Sequence, residues 1–179
     1  MAVVTIILPA AGSGTGLLLR PWRPADMPAL VVAHQDPALG RHLRTSLADE
    51  GEARQWLDVQ DAGWAAATRF SFAVVADVDD HSPLAHVAVT VGDAGTAEVG
   101  YWTAAHARGQ GVAARALETV SRWALATQEI MRLDLFHSVD NPASCRVALK
   151  SGYPLRDLLP AAPPDYPRSG HRHVRQDGS

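Results

Sequence analysis

The chain has 179 residues, 47% of them hydrophobic, with 16 basic against 19 acidic side chains for a net charge of −3. That suits one domain with a sizeable core, and the slightly acidic balance excludes the broad positive field that draws proteins to nucleic acid or membrane surfaces. Cys145 is the only cysteine, which excludes an intrachain disulfide framework and a Cys-based zinc cluster and fits a reducing compartment, with the cytoplasm as default.

The opening VVTIIL is strand-like and lacks the basic flank of a signal peptide, and no apolar run reaches the ~18 residues of a membrane span. Residues 1–16 therefore read as a leader or an added edge strand. Their AAGSGTG resembles the Gly-rich signature of sugar- or cytidylyl-transferring nucleotidyltransferases. Those need a basic residue directly after the glycines, whereas LLLR follows here. LLLRPW (17–22) reads as a short buried strand. RPADMPALVVAHQDPALGRHL starts a helix near Ala25 or Asp26, with Leu30, Val31 and Ala33 behind it. ADEGEARQWLDVQDAGWAAAT is a second helix, with Ala53, Trp56, Leu57 and Gln60 on one stripe and acidic residues at its start.

RFSFAVVAD (69–77) and PLAHVAVTVGD (83–93) are strands joined by the turn VDDHSP, and TAEVGYW (96–102) is a third. In the third, Glu98, Gly100 and Trp102 share one face, and Val99, Tyr101 and Thr103 the other. After the turn RGQG, Val112, Ala113, Ala116, Leu117, Val120, Trp123 and Ala124 recur at helical spacing, which predicts a helix over 111–127 packed on a sheet. IMRLDLFHSV (130–139) is a strand, NPASCRVALKSG (141–152) a short helix ended by Gly152, and YPLRD the start of a last strand. Short turns favour antiparallel pairing of the three middle strands, while strand–helix–strand across 96–139 favours a parallel crossover. The expected fold is α/β (α+β): a mixed, mostly antiparallel sheet flanked by helices.

Three readings compete for RGQGVAA. Gly109-x-Gly111-x-x-Ala114 formally meets the dinucleotide fingerprint, but TAAHAR separates it from its strand and no second strand–helix–strand half follows. A P-loop needs a lysine after the glycines, and none is there. The third reading is a turn that offers backbone N–H groups to a diphosphate at a helix N-terminus, with Arg108 adding a charge-assisted contact. The plain alternative is that small residues let the helix enter close to the sheet.

The surrounding residues bear on that choice. Arg108, Gly111 and Ala113 fit [RQ]-x-x-G-x-[GA], and EVGYW…ARGQGVAARAL…NPASCRVALKSGY resembles the acyl-CoA-binding core of the Gcn5-related N-acetyltransferase (GNAT) superfamily. The likeness is greatest to its ribosomal-protein alanine N-acetyltransferase branch, the RimJ/RimL-like proteins, and runs over roughly 17–156. It implies an acetyltransferase domain over 17–160 with acetyl-CoA as co-substrate and an amine, on a small molecule or a protein N-terminus, as acceptor. By the same resemblance the diphosphate lies against Arg108, Gly109, Gln110, Gly111, Val112 and Ala113. The pantetheine arm runs along Tyr101, Trp102 and Thr103, and Asn141 and Ser144 sit on its other side. Asn141 is also a good cap ahead of Pro142.

Acetyl transfer to an amine requires a base, a polariser for the thioester carbonyl and a donor to the leaving thiolate. Glu98, the only acid in its strand, is the candidate base, acting through water; an exposed structural carboxylate is the alternative. Many relatives carry a tyrosine seven residues after the Asn as leaving-group acid, and here that slot is Ala148, which leaves Ser144 as the donor. Cys145 reads as a free, buried or half-buried thiol with no histidine partner, and His106, His137 and Asp134 as non-catalytic. HRH at 171–173 has a metal-like composition but is terminal and without a partner cluster, so no metal is assigned.

In place of the family's long β-hairpin arm, 161–179 reads as a Pro/Gly-rich, atypical segment with a solvated basic end, in which HRHV offers at most a fragment of the final strand. Such an arm leaves the acceptor cleft open, completed by a second subunit, or inactive. A homodimer through an exposed sheet edge is compatible with the sequence, as is a non-enzymatic acyl-CoA-binding sensor or structural protein on the same fold.

Overall fold

The computed structural model describes residues 4–8, 16–43, 45–164 and 166–176. Most of AAGSGTG lies outside them. Eight strands form one sheet in the order β1-β2-β3-β4-β5-β6-β8-β7. They are β1 (Ile6–Leu8), β2 (Leu17–Pro21), β3 (Arg69–Ala76), β4 (Ala85–Val91), β5 (Thr96–Thr103), β6 (Arg132–Ser138), β7 (Leu155–Leu159) and β8 (Gly170–Gln176). All neighbours are antiparallel except β5 and β6. The helices are α1 (Met27–His34), α2 (Pro37–Gly40), α3 (Glu50–Ala66), α4 (Val112–Thr127) and α5 (Pro142–Lys150), with a 3-10 turn at Pro24–Asp26 and another at Ala105–Ala107. The mixed, mostly antiparallel sheet flanked by helices is the expected architecture. The one helix the sequence reading misses is α2, a single turn capped by Asp36.

Two hydrophobic clusters sandwich the sheet. Under α4 and α5, Leu117, Val120 and Leu133 join Val87, Val89, Val99 and Phe72. Under α1 to α3, Leu30, Ala53 and Leu57 join Trp22, Ala73 and Trp102. β5 shows the alternation that divides them: Val99 is in the first cluster and Trp102 in the second, as the period of two requires. Asp26 does more than start a helix. It is buried and binds the buried Arg20 guanidinium through two oxygens at 2.7 and 2.9 Å, tying the α1 entrance to β2.

The C-terminus corrects the sequence reading. Residues 170–176 are neither a solvated tail nor a shortened arm: β7 and β8 form a hairpin, and β8 lies inside the sheet between β6 and β7. The sheet therefore continues beyond the boundary drawn at 160. GHRHVRQ looks too polar for an interior strand because its partners are distant in sequence. Arg172 bridges Asp134 (3.0 Å) and Asp157 (2.9 Å), Arg175 binds Glu118 (2.5 Å), and His173 Nδ1 meets the Tyr153 carbonyl (2.9 Å). Asp134, read from the sequence only as non-catalytic, is a buried anchor of this network.

Candidate active site

The two parallel strands part company midway. β5 pairs with β6 only at Thr96↔Arg132, Ala97↔Leu133 and Glu98↔Asp134, whereas β6 pairs with β8 along its whole length to Ser138↔Gly170. From Val99 to Thr103, β5 keeps β4 on one side and has no ladder partner on the other among the described residues. A gap lined by unpaired strand backbone follows, and an extended polar ligand can fill it as a strand would.

At the open end of that gap the chain passes through Ala105–Ala107 into RGQG and α4. Gly109 and Gly111 have φ of 76° and 74°, a left-handed conformation that costs other L-residues ~1 kcal/mol or more. A Cβ on either glycine would meet nothing within 4 Å, so the space in front of the turn is open. Gly111 caps α4 without a side chain, and the first bond of the helix runs from Arg115 N–H to the Gly111 carbonyl (3.2 Å). The N–H groups of Val112, Ala113 and Ala114 thus have no acceptor within the helix and, with the helix dipole, favour an anion. Gln110 Nε2 steadies the turn by donating to the His106 carbonyl (2.8 Å).

Arg108 stands differently from its sequence reading. Its guanidinium is already engaged by Asp36, at the start of α2. The Ala38 N–H, and then Arg108, hold the Asp36 carboxyl below the usual range. The groups facing the open turn are therefore mainly backbone.

Across the gap lies α5. Asn141 Oδ1 accepts from Ser144 N–H (3.1 Å), the expected cap, with Pro142 at the first helical position. Tyr101 OH donates to the Ser144 carbonyl at 3.4 Å and so links β5 to α5. Burial pushes the Tyr101 hydroxyl up to about 12, so it stays neutral. Ala148, the slot of the family's tyrosine, is fully buried in the core.

Glu98 is exposed on the opposite face and belongs to the last pair before the strands separate. It stands three positions before Tyr101, about 10 Å along the strand. Arg69, Thr90 and Glu98 form a row across β3, β4 and β5, with Arg69 Nη1 donating to Thr90 Oγ1 (2.5 Å). Burial lowers the Arg69 pKa and the Glu98 charge works against that shift.

Sequence reasoning missed an aromatic cluster on this face. Trp102 stacks on His86 at 5.7 Å, Trp22 lies 5.9 Å from Trp102, and Trp56 and His34 close the ring edge-on at 5.5 Å to Trp22 and 5.8 Å to Trp102. Trp22 Nε1 donates to His86 Nδ1 (3.1 Å). The five rings come from separate elements, so only chain folding brings them together. Beside them a groove of about 290 Å³ opens between α1 and the Ala105–Ala107 turn, lined by Val32, Asp36, Pro83 and His106 among others.

The histidines discounted in the sequence also need correction. His171 and His173 lie beside His137 and Cys145, so HRH does have a partner cluster and Cys145, though half-buried as expected, does have histidine neighbours.

Comparison with known proteins decides the family. Residues 16–154 match the acetyltransferase (GNAT) domain model. The chain belongs to the GNAT acetyltransferase family. Within that family it is 37% identical over 67 residues to the ribosomal-protein-serine acetyltransferase of Escherichia coli K12, a stretch covering 37% of each chain. The GNAT fold is shared more widely. RimL, the ribosomal L7/L12 alpha-N-protein acetyltransferase solved in complex with coenzyme A, superposes with a TM-score of 0.82 at 19% identity, covering 96% of this chain and 98% of RimL. Mycobacterium smegmatis RimJ, solved in complex with CoA-disulfide, gives 0.80 at 17% identity, covering 98% of this chain and 87% of its own. Among the described residues no helix is long and apolar enough to cross a membrane.

Proposed function

We propose that this protein is an acetyl-CoA-dependent N-acetyltransferase that passes the acetyl group to a primary amine by direct attack on the thioester. The observation that carries this reading is the β5–β6 gap, which opens at Val99 and leads to an α4 N-terminus that has no side-chain cap and follows two left-handed glycines. The residues suit acetyl-CoA. Backbone groups of Tyr101, Trp102 and Thr103 are the free strand edge for the pantetheine amides. The turn from Arg108 through Gly109, Gln110, Gly111, Val112 and Ala113 receives the diphosphate. Asn141 and Ser144 border the gap from α5, and with Asn141 Oδ1 committed to the cap, its Nδ2 is the end that donates to the arm.

Acetyl-CoA supplies an activated acyl thioester. Glu98, through water, takes the proton the amine must lose as the new N–C bond forms. A backbone N–H near Tyr101 or Trp102 polarises the carbonyl. As the C–S bond breaks, the Ser144 hydroxyl hydrogen-bonds the thiolate, which is finally protonated from solvent; a neutral serine is too weak an acid to do more. The groove beside α1 supplies the acceptor side. Relatives named for ribosomal-protein N-termini make a peptide α-amine the first acceptor to try. A cytoplasmic setting belongs to the same reading, and a homodimer is testable by sedimentation.

Calorimetric titration of acetyl-CoA, followed by thiol release over a panel of N-terminal peptides and small amines, tests the proposal. Micromolar binding with amine-dependent thiol release supports it. Tight binding without release on any acceptor replaces it with an acyl-CoA sensor, and no binding to the folded chain removes both.

A further inference from the structure

His137 on β6 is the direct register partner of His171 on β8, and His173, two residues on, shares the face of His171. Cys145 on α5 joins them: one ring nitrogen of each histidine and the Cys145 Sγ all lie within 4.8 Å of one another. The second partners of two rings fix their tautomers. His137 Nδ1 is 2.8 Å from the Ser138 carbonyl, and His173 Nδ1 is 2.9 Å from the Tyr153 carbonyl. A carbonyl only accepts, so in each neutral ring Nδ1 carries the proton and Nε2 is a bare lone pair. Those two Nε2 atoms face each other at 3.1 Å. Lone pairs held at that distance repel unless a positive centre lies between them. His171 adds a further orphan: its Nδ1 is buried with no hydrogen-bond partner.

We propose that His137, Cys145, His171 and His173 form a four-coordinate site for a zinc-class divalent transition-metal ion. Three imidazoles and a thiolate make a nitrogen–sulfur donor set that suits zinc and disfavours magnesium and calcium. Zinc–nitrogen bonds of about 2.0–2.1 Å and zinc–sulfur bonds of about 2.3 Å put tetrahedral donors roughly 3.3–3.6 Å apart. Closing from 4.8 Å to that spacing takes about 1 Å of side-chain adjustment at the widest point. The Ser138 and Tyr153 carbonyls already act as the outer partners that orient ligating imidazoles. Four protein ligands leave no open position, so the ion is structural: it fastens α5 to β6 and β8 and thereby fixes the helix that carries Asn141 and Ser144. The site does not depend on the acetyltransferase reading.

The test uses the full, tag-free chain, stripped with a chelator and titrated with cobalt(II) and then zinc. The expected result is one equivalent of cobalt with intense tetrahedral d–d bands and a thiolate-to-cobalt charge-transfer band, both displaced by zinc, and a higher Tm with zinc bound. Cys145→Ser removes the charge-transfer band, and His171→Ala weakens binding by at least about tenfold. A cobalt spectrum of the hydrated ion alone in the folded wild-type chain overturns the proposal and leaves a proton shared between His137 and His173. Unchanged affinity in folded His171→Ala overturns it as well.

Discussion

Glu98 and Asp134 are the last residues at which β5 and β6 lie side by side as a ladder. Beyond them β6 stays with β8 and β5 stays with β4, and the sheet opens between the pairs. The opening follows from strand partners rather than from any residue that breaks a strand. β8 holds β6 through seven register pairs, and the ions beside them lock that choice.

If the Gly-rich turn receives the diphosphate, CoA affinity is exposed there to a single change. At Gly111 a side chain adds left-handed strain, and a carboxylate projects into the open space a diphosphate would use. Gly111→Glu is expected to weaken acetyl-CoA binding by about tenfold, since like-charge repulsion contributes about 1–2 kcal/mol, while the backbone strain lowers the stability of the fold instead. Calorimetry reads this, with circular dichroism confirming the fold. Unaltered affinity would remove the diphosphate from this turn.

Glu98→Gln separates proton transfer from binding. If the carboxylate removes the amine proton, kcat falls by about 10²-fold or more while the KM for acetyl-CoA is unchanged. If Glu98 serves only to balance Arg69, turnover holds and the loss appears in stability instead.

The Arg20–Asp26 pair is buried on both sides, so removing one member strands the other. Asp26→Asn leaves the Arg20 charge without its counter-ion and is expected to cost about 3–5 kcal/mol in chemical denaturation. A cost within the range of an exposed pair, below about 1 kcal/mol, would mean that water reaches Arg20.

Stability is expected to fall in mild acid through His86. Burial, with Arg69 and then His34 adding repulsion, lowers its pKa to about 3. The unfolded chain takes up a proton near the ordinary value of about 6.5 while the folded protein does not. The contribution is therefore complete above about pH 6.5 and declines as the pH falls from there towards 3, by up to about 1.4 kcal/mol per unit. Urea denaturation at a series of pH values measures this slope, and His86→Gln should flatten it. An equal slope in the variant would assign the effect to other groups.

Local pattern made much of the molecule readable. The stripe Val112–Ala124 predicted α4 because one face of a helix must be apolar to lie on a sheet. Asn141–Pro142 marked the start of α5 because few residues cap and begin a helix so well. Glycines 109 and 111, ahead of small residues, marked a turn that enters the left-handed region. Composition failed at the C-terminus, where polar GHRHVRQ became an interior strand through charges supplied by Asp134, Asp157 and Glu118.

Local residue pattern was enough for most of the elements and for the Gly-rich turn, though not for α2 or β8, because hydrophobic period, caps and glycine backbone freedom act between near neighbours. Tertiary structure alone decided where β5 and β6 part, that Arg108 is taken by Asp36, and that five aromatic rings and a three-histidine, one-cysteine cluster assemble on opposite faces of the sheet. Each of those depends on residues far apart along the chain, whose meeting is set by strand register and packing and leaves no period or spacing in the sequence.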